Sequence, residues 1–118
     1  MSDDESVRPW DQYAVLCDDS DFKVKTITVT SAKRLSYQQH ARRSEHWFVV
    51  RGPGVVTLDG SDVRVDRGSA VEVPVGTAHR ISNDGDDLLV FVEVQHRDYF
   101  GEDDIVRLED DYGRSSSS

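Results

Sequence analysis

Short apolar runs alternate with turn residues along this chain, and the pattern is that of strands. Residues 22–30 alternate and are rich in β-branched side chains, which indicates a strand. The same pattern predicts further strands at 34–38, 45–51, 55–58, 63–65, 70–73, 79–82 and 88–95. No window keeps a sustained helical period. The chain is therefore predicted to be all-β, a sandwich or a barrel.

Turn residues separate the predicted strands. Asp59-Gly60 between two β segments predicts a hairpin. Pro74 cannot donate to a ladder and is predicted to end a strand, and Gly76 allows a tight turn that can aim His79 inward. Residues 101–112 are acidic and are predicted to form a turn of helix that packs back on the domain. Residues 115–118 are serines and are predicted to be disordered.

Length and charge limit the classes of protein to which the chain can belong. Its 118 residues predict one domain, and its net charge of −9 argues against nucleic acid as a partner. No apolar run approaches the ~20 residues that span a bilayer, so no membrane partner is expected. The acidic residues 1–5 lack a signal-peptide pattern, which predicts a cytoplasmic protein. Cys17 is the only cysteine, which excludes an intrachain disulfide.

Candidate metal ligands concentrate between residues 38 and 46. Gln38 and His40 are two positions apart, so on a strand both side chains point to one face. Glu45 follows a gap long enough for a turn, and His79 would come from a distant strand. Histidine nitrogen and carboxylate oxygen are the usual ligands of a catalytic divalent metal. His46 follows Glu45 and is expected to face away from the site.

Two motifs contain these ligands. The strings Gln38-x-His40-x4-Glu45-x6-Gly52 and Gly68-x5-Pro74-x-Gly76-x2-His79-x3-Asn83 resemble the paired motifs of the cupin superfamily. The chain departs from the first motif at Gln38, where a histidine is usual, and at Ala32, where glycine is usual. The resemblance implies a cupin double-stranded β-helix, or jelly-roll barrel. It also implies one divalent ion, with zinc favoured over manganese, cobalt, nickel and magnesium, on Gln38, His40, Glu45 and His79.

A narrower resemblance covers residues 8–114. Type II mannose-6-phosphate isomerase is similar to this chain at residues 8–10, 22–25, 35–36, 93–95 and 99–107. It is also similar at two spaced motifs, Gln38-x-His40-x2-Arg43-x-Glu45-His46-Trp47 and Pro74-x-Gly76-x2-His79-Arg80. In that family the cupin is usually the C-terminal part of a bifunctional enzyme whose larger part is mannose-1-phosphate guanylyltransferase. A stand-alone isomerase domain is therefore expected at 8–114, between an acidic flexible segment at 1–7 and the serine tail. The family commonly has three consecutive histidines where this chain has His40-Ala41-Arg42.

The implied reaction interconverts mannose 6-phosphate and fructose 6-phosphate and feeds GDP-mannose and polysaccharide synthesis. It needs a base inside the barrel and cations for the phosphate. Glu93 shares a strand face with apolar residues, so its pKa should be raised, as suits a base; the alternative is a pair with a neighbouring arginine. Arg43, in the loop before Glu45, is assigned with Glu93 to catalysis. The expected substrate-binding residues are Lys23, Lys25, Arg80 and Gln95.

Two other functions stay open at this point. One is a non-catalytic sugar-phosphate-binding cupin, which Ala41-Arg42 in place of histidines would favour. The other is a different metal-dependent cupin enzyme, although Gln38 is a poor ligand for redox iron. Cupins commonly pair through their outer sheet, so the resemblance implies a homodimer.

Overall fold

Two five-stranded antiparallel sheets make up the part of the chain that this computed structural model describes, residues 10–97 and 104–109. The first sheet has the order β1-β2-β9-β4-β7. Its strands are β1 Asp11–Asp18, β2 Phe22–Val29, β4 Arg43–Arg51, β7 Ala70–Val73 and β9 Leu89–Arg97. The second has the order β10-β3-β8-β5-β6. Its strands are β3 Tyr37–His40, β5 Gly54–Leu58, β6 Ser61–Val65, β8 His79–Ser82 and β10 Ile105–Glu109.

The predicted all-β fold is confirmed, and β7 and β8 have the predicted bounds. The predicted turn of helix is wrong where the structure describes it. Residues 105–109 are strand β10, which pairs with β3 and thereby satisfies the backbone groups along one edge of the second sheet. Strand β1 was not predicted. The predictions for residues 1–7, 8–9, 98–103 and 110–118 lie outside the described residues.

The inner face of the first sheet changes from apolar to polar along the strands. At one end Val29 lies opposite Leu89, and next to them Phe91 lies between Ile27 and Val49 in neighbouring strands. All five belong to the buried core. Because side chains alternate along each strand, every second residue lies on this same inner face, whether it is apolar or polar.

Further along the same face the side chains are polar. Glu93 lies between Lys25 and Trp47, and Gln95 lies between Lys23 and Glu45. The apolar half packs the two sheets together, and Lys25, Glu45, Trp47 and Glu93 of the other half line a cavity between them. One set of strands thus supplies both the core and the candidate site.

Left-handed backbone occurs at the turns that the sequence marks. Asp59 and Gly60 have φ of 47° and 86° and connect β5 to β6, which confirms the predicted hairpin. Gly76 has φ of 81°, and its N–H donates to the carbonyl of His40 at 2.8 Å, which ties the turn before His79 to the end of β3. Ala32, at the position where cupins usually have glycine, has φ of 64°. That conformation explains the usual glycine, because a Cβ disfavours it.

Within the described ranges, no helix has the length and apolar character needed to cross a membrane.

Candidate metal centre

Three predicted ligands meet at the polar end of the cavity. His40 comes from the end of β3, Glu45 from β4 and His79 from the start of β8, and all three are buried. One ligand atom from each lies within 4.8 Å of the others. His40 Nε2 is 3.2 Å from Glu45 Oε2, and His79 Nε2 is 3.9 Å from Glu45 Oε1. Two imidazoles and one carboxylate are a donor set that suits a divalent ion.

Backbone carbonyls orient both imidazole rings. His40 Nδ1 is 3.3 Å from the carbonyl oxygen of Asp104, and His79 Nδ1 is 2.9 Å from that of Thr77. Since a carbonyl can only accept, each Nδ1 carries the proton, and the neutral ring then presents the lone pair of Nε2 to the site. This is the usual outer support of a metal-binding histidine. The two rings therefore fit a metal ion in tautomer as well as in position.

Glu45 is held as a carboxylate. Burial by itself would raise its pKa, but the close contact with His40 and the neighbouring His79 and Arg43 outweigh that effect and hold the pKa well below its usual range. Trp47 Nε1 donates to Oε1 at 2.8 Å, and Arg43 Nε donates to Oε2 at 3.0 Å. Burial lowers the pKa of His79, against the opposing charge of Glu45. Because a metal ligand must be deprotonated, the lowered pKa values of Glu45 and His79 favour metal binding.

Gln38, the fourth predicted ligand, lies beside the three. It is the cross-strand partner of His79, and it lines the same cavity. Its Nε2 donates to Ser36 Oγ at 3.0 Å, so the amide nitrogen is engaged and the amide oxygen is the atom available for a cation. Its assignment as a ligand stays a prediction.

Glu93, the predicted base, is buried and lines the cavity. Burial and the nearby charge of Glu45 raise its pKa to about 8, although Lys25 opposes this. Lys25 is also buried and lines the cavity, with its ammonium 4.4 Å from the centre of the Tyr13 ring. A carboxyl group with a pKa near neutrality is suited to proton transfer.

The other predicted site residues take different positions. Arg43 lines the cavity at the ligand end. Arg80 also lines it, but its guanidinium donates to the carbonyl of Leu35 at 2.8 Å and to Glu109 Oε1 at 2.9 Å. Lys23 is half-buried and lies outside the residues that line the cavity.

Gln95, predicted to bind substrate, is fully buried and is likewise not among the lining residues. Its amide Nε2 donates a hydrogen bond to Glu93 Oε2, so Gln95 helps to hold the Glu93 carboxyl group in place.

The sequence reasoning missed the cavity residues that two unpredicted strands supply. Asp11 and Tyr13 come from β1, and Ile105 and Arg107 come from β10. Alternation was the available signal in both strands. Asp11 and Tyr13 are the inward positions of β1, and the inward Ile105 and Arg107 alternate with the exposed Val106 and Leu108.

The comparisons with known proteins agree with this fold. The family described as mannose-6-phosphate isomerase C-terminal matches residues 2–110. The alginate biosynthesis protein AlgA of Pseudomonas aeruginosa is 43% identical over 112 residues, which cover 95% of this chain and 23% of that protein. The mannose-1-phosphate guanylyltransferase of Salmonella montevideo is 40% identical over 111 residues, which cover 94% and 24%. The chain thus spans about a quarter of the length of these curated relatives.

Solved structures show the same architecture. The putative sugar phosphate isomerase from Acidithiobacillus ferrooxidans superposes with a TM-score of 0.60 at 28% identity, covering 65% of this chain and 51% of that one. A double-stranded β-helix protein from Klebsiella pneumoniae gives 0.73 at 22% identity, covering 86% and 91%, and supports the fold alone. With its two antiparallel sheets and its matched residues 2–110, the chain is a cupin and belongs to the mannose-6-phosphate isomerase C-terminal family.

Proposed function

We propose that this domain is a metal-dependent isomerase that interconverts mannose 6-phosphate and fructose 6-phosphate. The observation that carries the proposal is the pairing, in one cavity, of a ligand cluster (His40, Glu45 and His79) with a buried carboxyl group of raised pKa, Glu93. The family match and the names of the relatives support a phosphorylated hexose as substrate. Mannose 6-phosphate formed by the domain would enter GDP-mannose and polysaccharide synthesis in the cytoplasm.

Aldose–ketose isomerisation transfers a proton between adjacent carbons through an enediol. A divalent ion, zinc by preference, would be held by His40, Glu45 and His79 with Gln38, and when bound it acts as a Lewis acid toward the substrate oxygens. Glu93 accepts the proton from one carbon and returns it to the next. Gln95 fixes the carboxyl group by its hydrogen bond, and burial excludes the water that would exchange the proton.

The phosphate needs cations away from the ligands. Lys25 from β2 and Arg107 from β10 face the cavity from opposite sheets, and we assign the phosphate to them. Arg80 is held by Leu35 and Glu109 and is assigned a supporting part. Arg43, which contacts Glu45, is assigned to the reacting end of the sugar.

The outer face of the first sheet supports a homodimer. Phe48 and Val50 are 47% and 42% exposed there, and Val92 and Val94 lie beside β4 on the same outer side. An apolar sheet face of this kind commonly marks an interface between proteins.

The decisive experiment is a coupled assay that follows fructose 6-phosphate formed from mannose 6-phosphate by this chain with zinc or another divalent ion. Metal-dependent turnover that is abolished by a chelator and restored by added metal would support the proposal. If mannose 6-phosphate binds but no hexose phosphate is isomerised, the chain is a sugar-phosphate-binding module. Ala41 and Arg42, at positions where relatives commonly have histidines, are the specific feature that favours that second function.

A further inference from the structure

The Arg43 guanidinium lies against two of the candidate ligands. Its Nε donates to Glu45 Oε2 at 3.0 Å, and its Nη2 is 3.2 Å from His40 Nε2. The side chain is 3% exposed, so these contacts are made in a water-poor environment. One planar cation therefore bridges the carboxylate and the imidazole that a metal ion would also bridge.

His40 Nε2 cannot serve both cations at once. Because Nδ1 donates its proton to the carbonyl of Asp104, the neutral ring has a single lone pair, and that lone pair is on Nε2. In this tautomer it accepts the hydrogen bond from Arg43, and it is the same lone pair that a metal ion must use. Glu45 Oε2 has more than one lone pair and excludes neither cation.

Arg43 also supplies a charge that Glu45 needs. The carboxylate is 2% exposed, and a buried carboxylate without a cation is strongly destabilising. The guanidinium is an always-charged partner that can hold the carboxylate in place. A divalent ion on Glu45 would provide the same compensation.

We propose that Arg43 is a resident counter-cation of the ligand cluster, which competes with the divalent ion for His40 Nε2 and leaves that atom when the ion binds. The proposal rests on the metal binding included in the proposed function, but not on isomerisation. Its consequence is that Arg43 weakens metal affinity while it stabilises the cluster before loading. A guanidinium released from His40 stays inside the same cavity, where an anionic substrate group can receive it.

The first test is calorimetric titration of the metal-depleted chain with zinc, for the parent, Arg43→Gln and Arg42→Gln. Arg42 is the matched control, since it is the exposed neighbour and its replacement changes the net charge equally. We expect Arg43→Gln to bind zinc roughly tenfold more tightly than Arg42→Gln, because a hydrogen bond to a charged group no longer has to be broken. Equal or weaker binding by Arg43→Gln would overturn the proposal.

A second measurement needs no variant and covers the case in which Arg43→Gln does not fold. In the parent, labelled at arginine and histidine nitrogens, stoichiometric zinc should shift both the Arg43 side-chain resonances and His40 Nε2. A zinc-saturated protein whose Arg43 signals are unchanged would refute the displacement. No zinc binding by the parent at all would instead refute the metal-dependent function.

Discussion

The Trp47 indole donates its N–H to Oε1 of Glu45 at 2.8 Å. The two residues are two positions apart on β4, so both point into the barrel. The same indole packs edge-on against the ring of His79 at 5.6 Å and lies 4.9 Å from that of Phe91. One core residue thus contacts two candidate ligands and connects the metal centre to the apolar half of the barrel.

Trp47→Phe tests this connection. The change keeps an aromatic ring but removes the donor to Glu45, which leaves the carboxylate less firmly oriented. Outer-shell partners of this kind are worth about 10–100-fold in metal affinity, and we expect a loss in that range. Zinc titration of the folded variant, with folding checked by circular dichroism, measures it. An unchanged affinity would mean that Glu45 does not depend on the indole.

Removal of a ligand should have a larger effect than removal of a neighbouring histidine. His79→Ala or His40→Ala leaves a coordination position that only water can fill, so we expect the variant to lose bound metal and isomerase activity together. His46→Ala is the matched control, because His46 faces outward, is 45% exposed and bonds Glu72. Metal analysis of the purified proteins gives the result. Fully loaded His79→Ala or His40→Ala would show that the ligands are misassigned.

The sequence was sufficient to predict strands β2 to β9 and the close approach of His40, Glu45 and His79. Pro74 follows β7 and Gly76 lies in the turn before β8, and because these turn residues act locally, the bounds of both strands could be predicted from the sequence. Strand β1 pairs with the neighbouring β2 and was missed because six of its eight residues are exposed, which leaves little alternation of inward and outward side chains. Strand β10 was missed because it pairs with a distant segment. In β10, Ile105 lies opposite His40, a partner far away in the chain. Pairing between distant segments leaves only a weak alternation of apolar and polar residues in the sequence.

Function of individual polar side chains was harder to predict than their place on a strand face. The alternation of β9 puts Gln95 on the same face as Glu93, which the sequence showed. It could not show that Gln95 lies deep enough to contact Glu93 and lies outside the cavity lining. Likewise, Arg80 adjoins His79 in sequence, but its guanidinium is engaged by Leu35 and by Glu109 on β10, a strand that was not predicted.

Ala32→Gly should stabilise the domain. Ala32 has φ of 64°, and left-handed backbone costs a residue with a Cβ about 1–2 kcal/mol. Glycine increases the entropy of the unfolded chain, which offsets about 0.4–1 kcal/mol of the gain. We therefore expect an increase of up to about 1.6 kcal/mol in the free energy of unfolding, measured by urea denaturation.

Ala70→Gly is the control for that change. Ala70 is an exposed residue of β7 with ordinary strand backbone, so glycine should destabilise there by about 0.5–1 kcal/mol. Destabilisation of similar size at both positions would show that the backbone at Ala32 carries no strain.

Glu93→Gln should abolish most of the activity and its pH dependence. Removal of a general base costs about 10²–10⁴-fold in rate. In the parent the carboxylate is the active form and the pKa of Glu93 is raised to about 8, so kcat/KM should rise with pH and level off above that value. A bound divalent ion lowers the pKa, which moves the midpoint to about 8 or below. Rates measured at saturating metal give the profile, and a parent profile independent of pH from 6 to 9 would argue against Glu93 as the base.

The free energies of unfolding of the parent and of Glu93→Gln should also diverge as the pH rises. The folded pKa of Glu93, about 8, is above its usual value of 4.5, so the folded state holds a proton that the unfolded state has released between those values. The contribution of Glu93 to stability is therefore fully present below about pH 4.5 and is lost as the pH rises toward 8. Glutamine cannot lose a proton, so the free energy of unfolding of Glu93→Gln should fall less over this range. Parallel curves from denaturant titrations would contradict the raised pKa.

Lys25 and Lys23 offer a paired test of phosphate recognition, because both lie on β2 but Lys25 lines the cavity and Lys23 does not. A charge-assisted hydrogen bond to phosphate is worth about 1.5–3 kcal/mol, so Lys25→Met should raise the KM for mannose 6-phosphate by roughly tenfold to a hundredfold. Lys23→Met removes the same charge and should change the KM little.

Lys25 also lowers the pKa of Glu93, so kcat/KM of Lys25→Met should level off at a higher pH. Inorganic phosphate, tested as a competitive inhibitor, should lose affinity in parallel with the KM. If Lys25→Met and Lys23→Met behave alike, or if phosphate inhibition is unaffected, then Lys25 does not bind the phosphate.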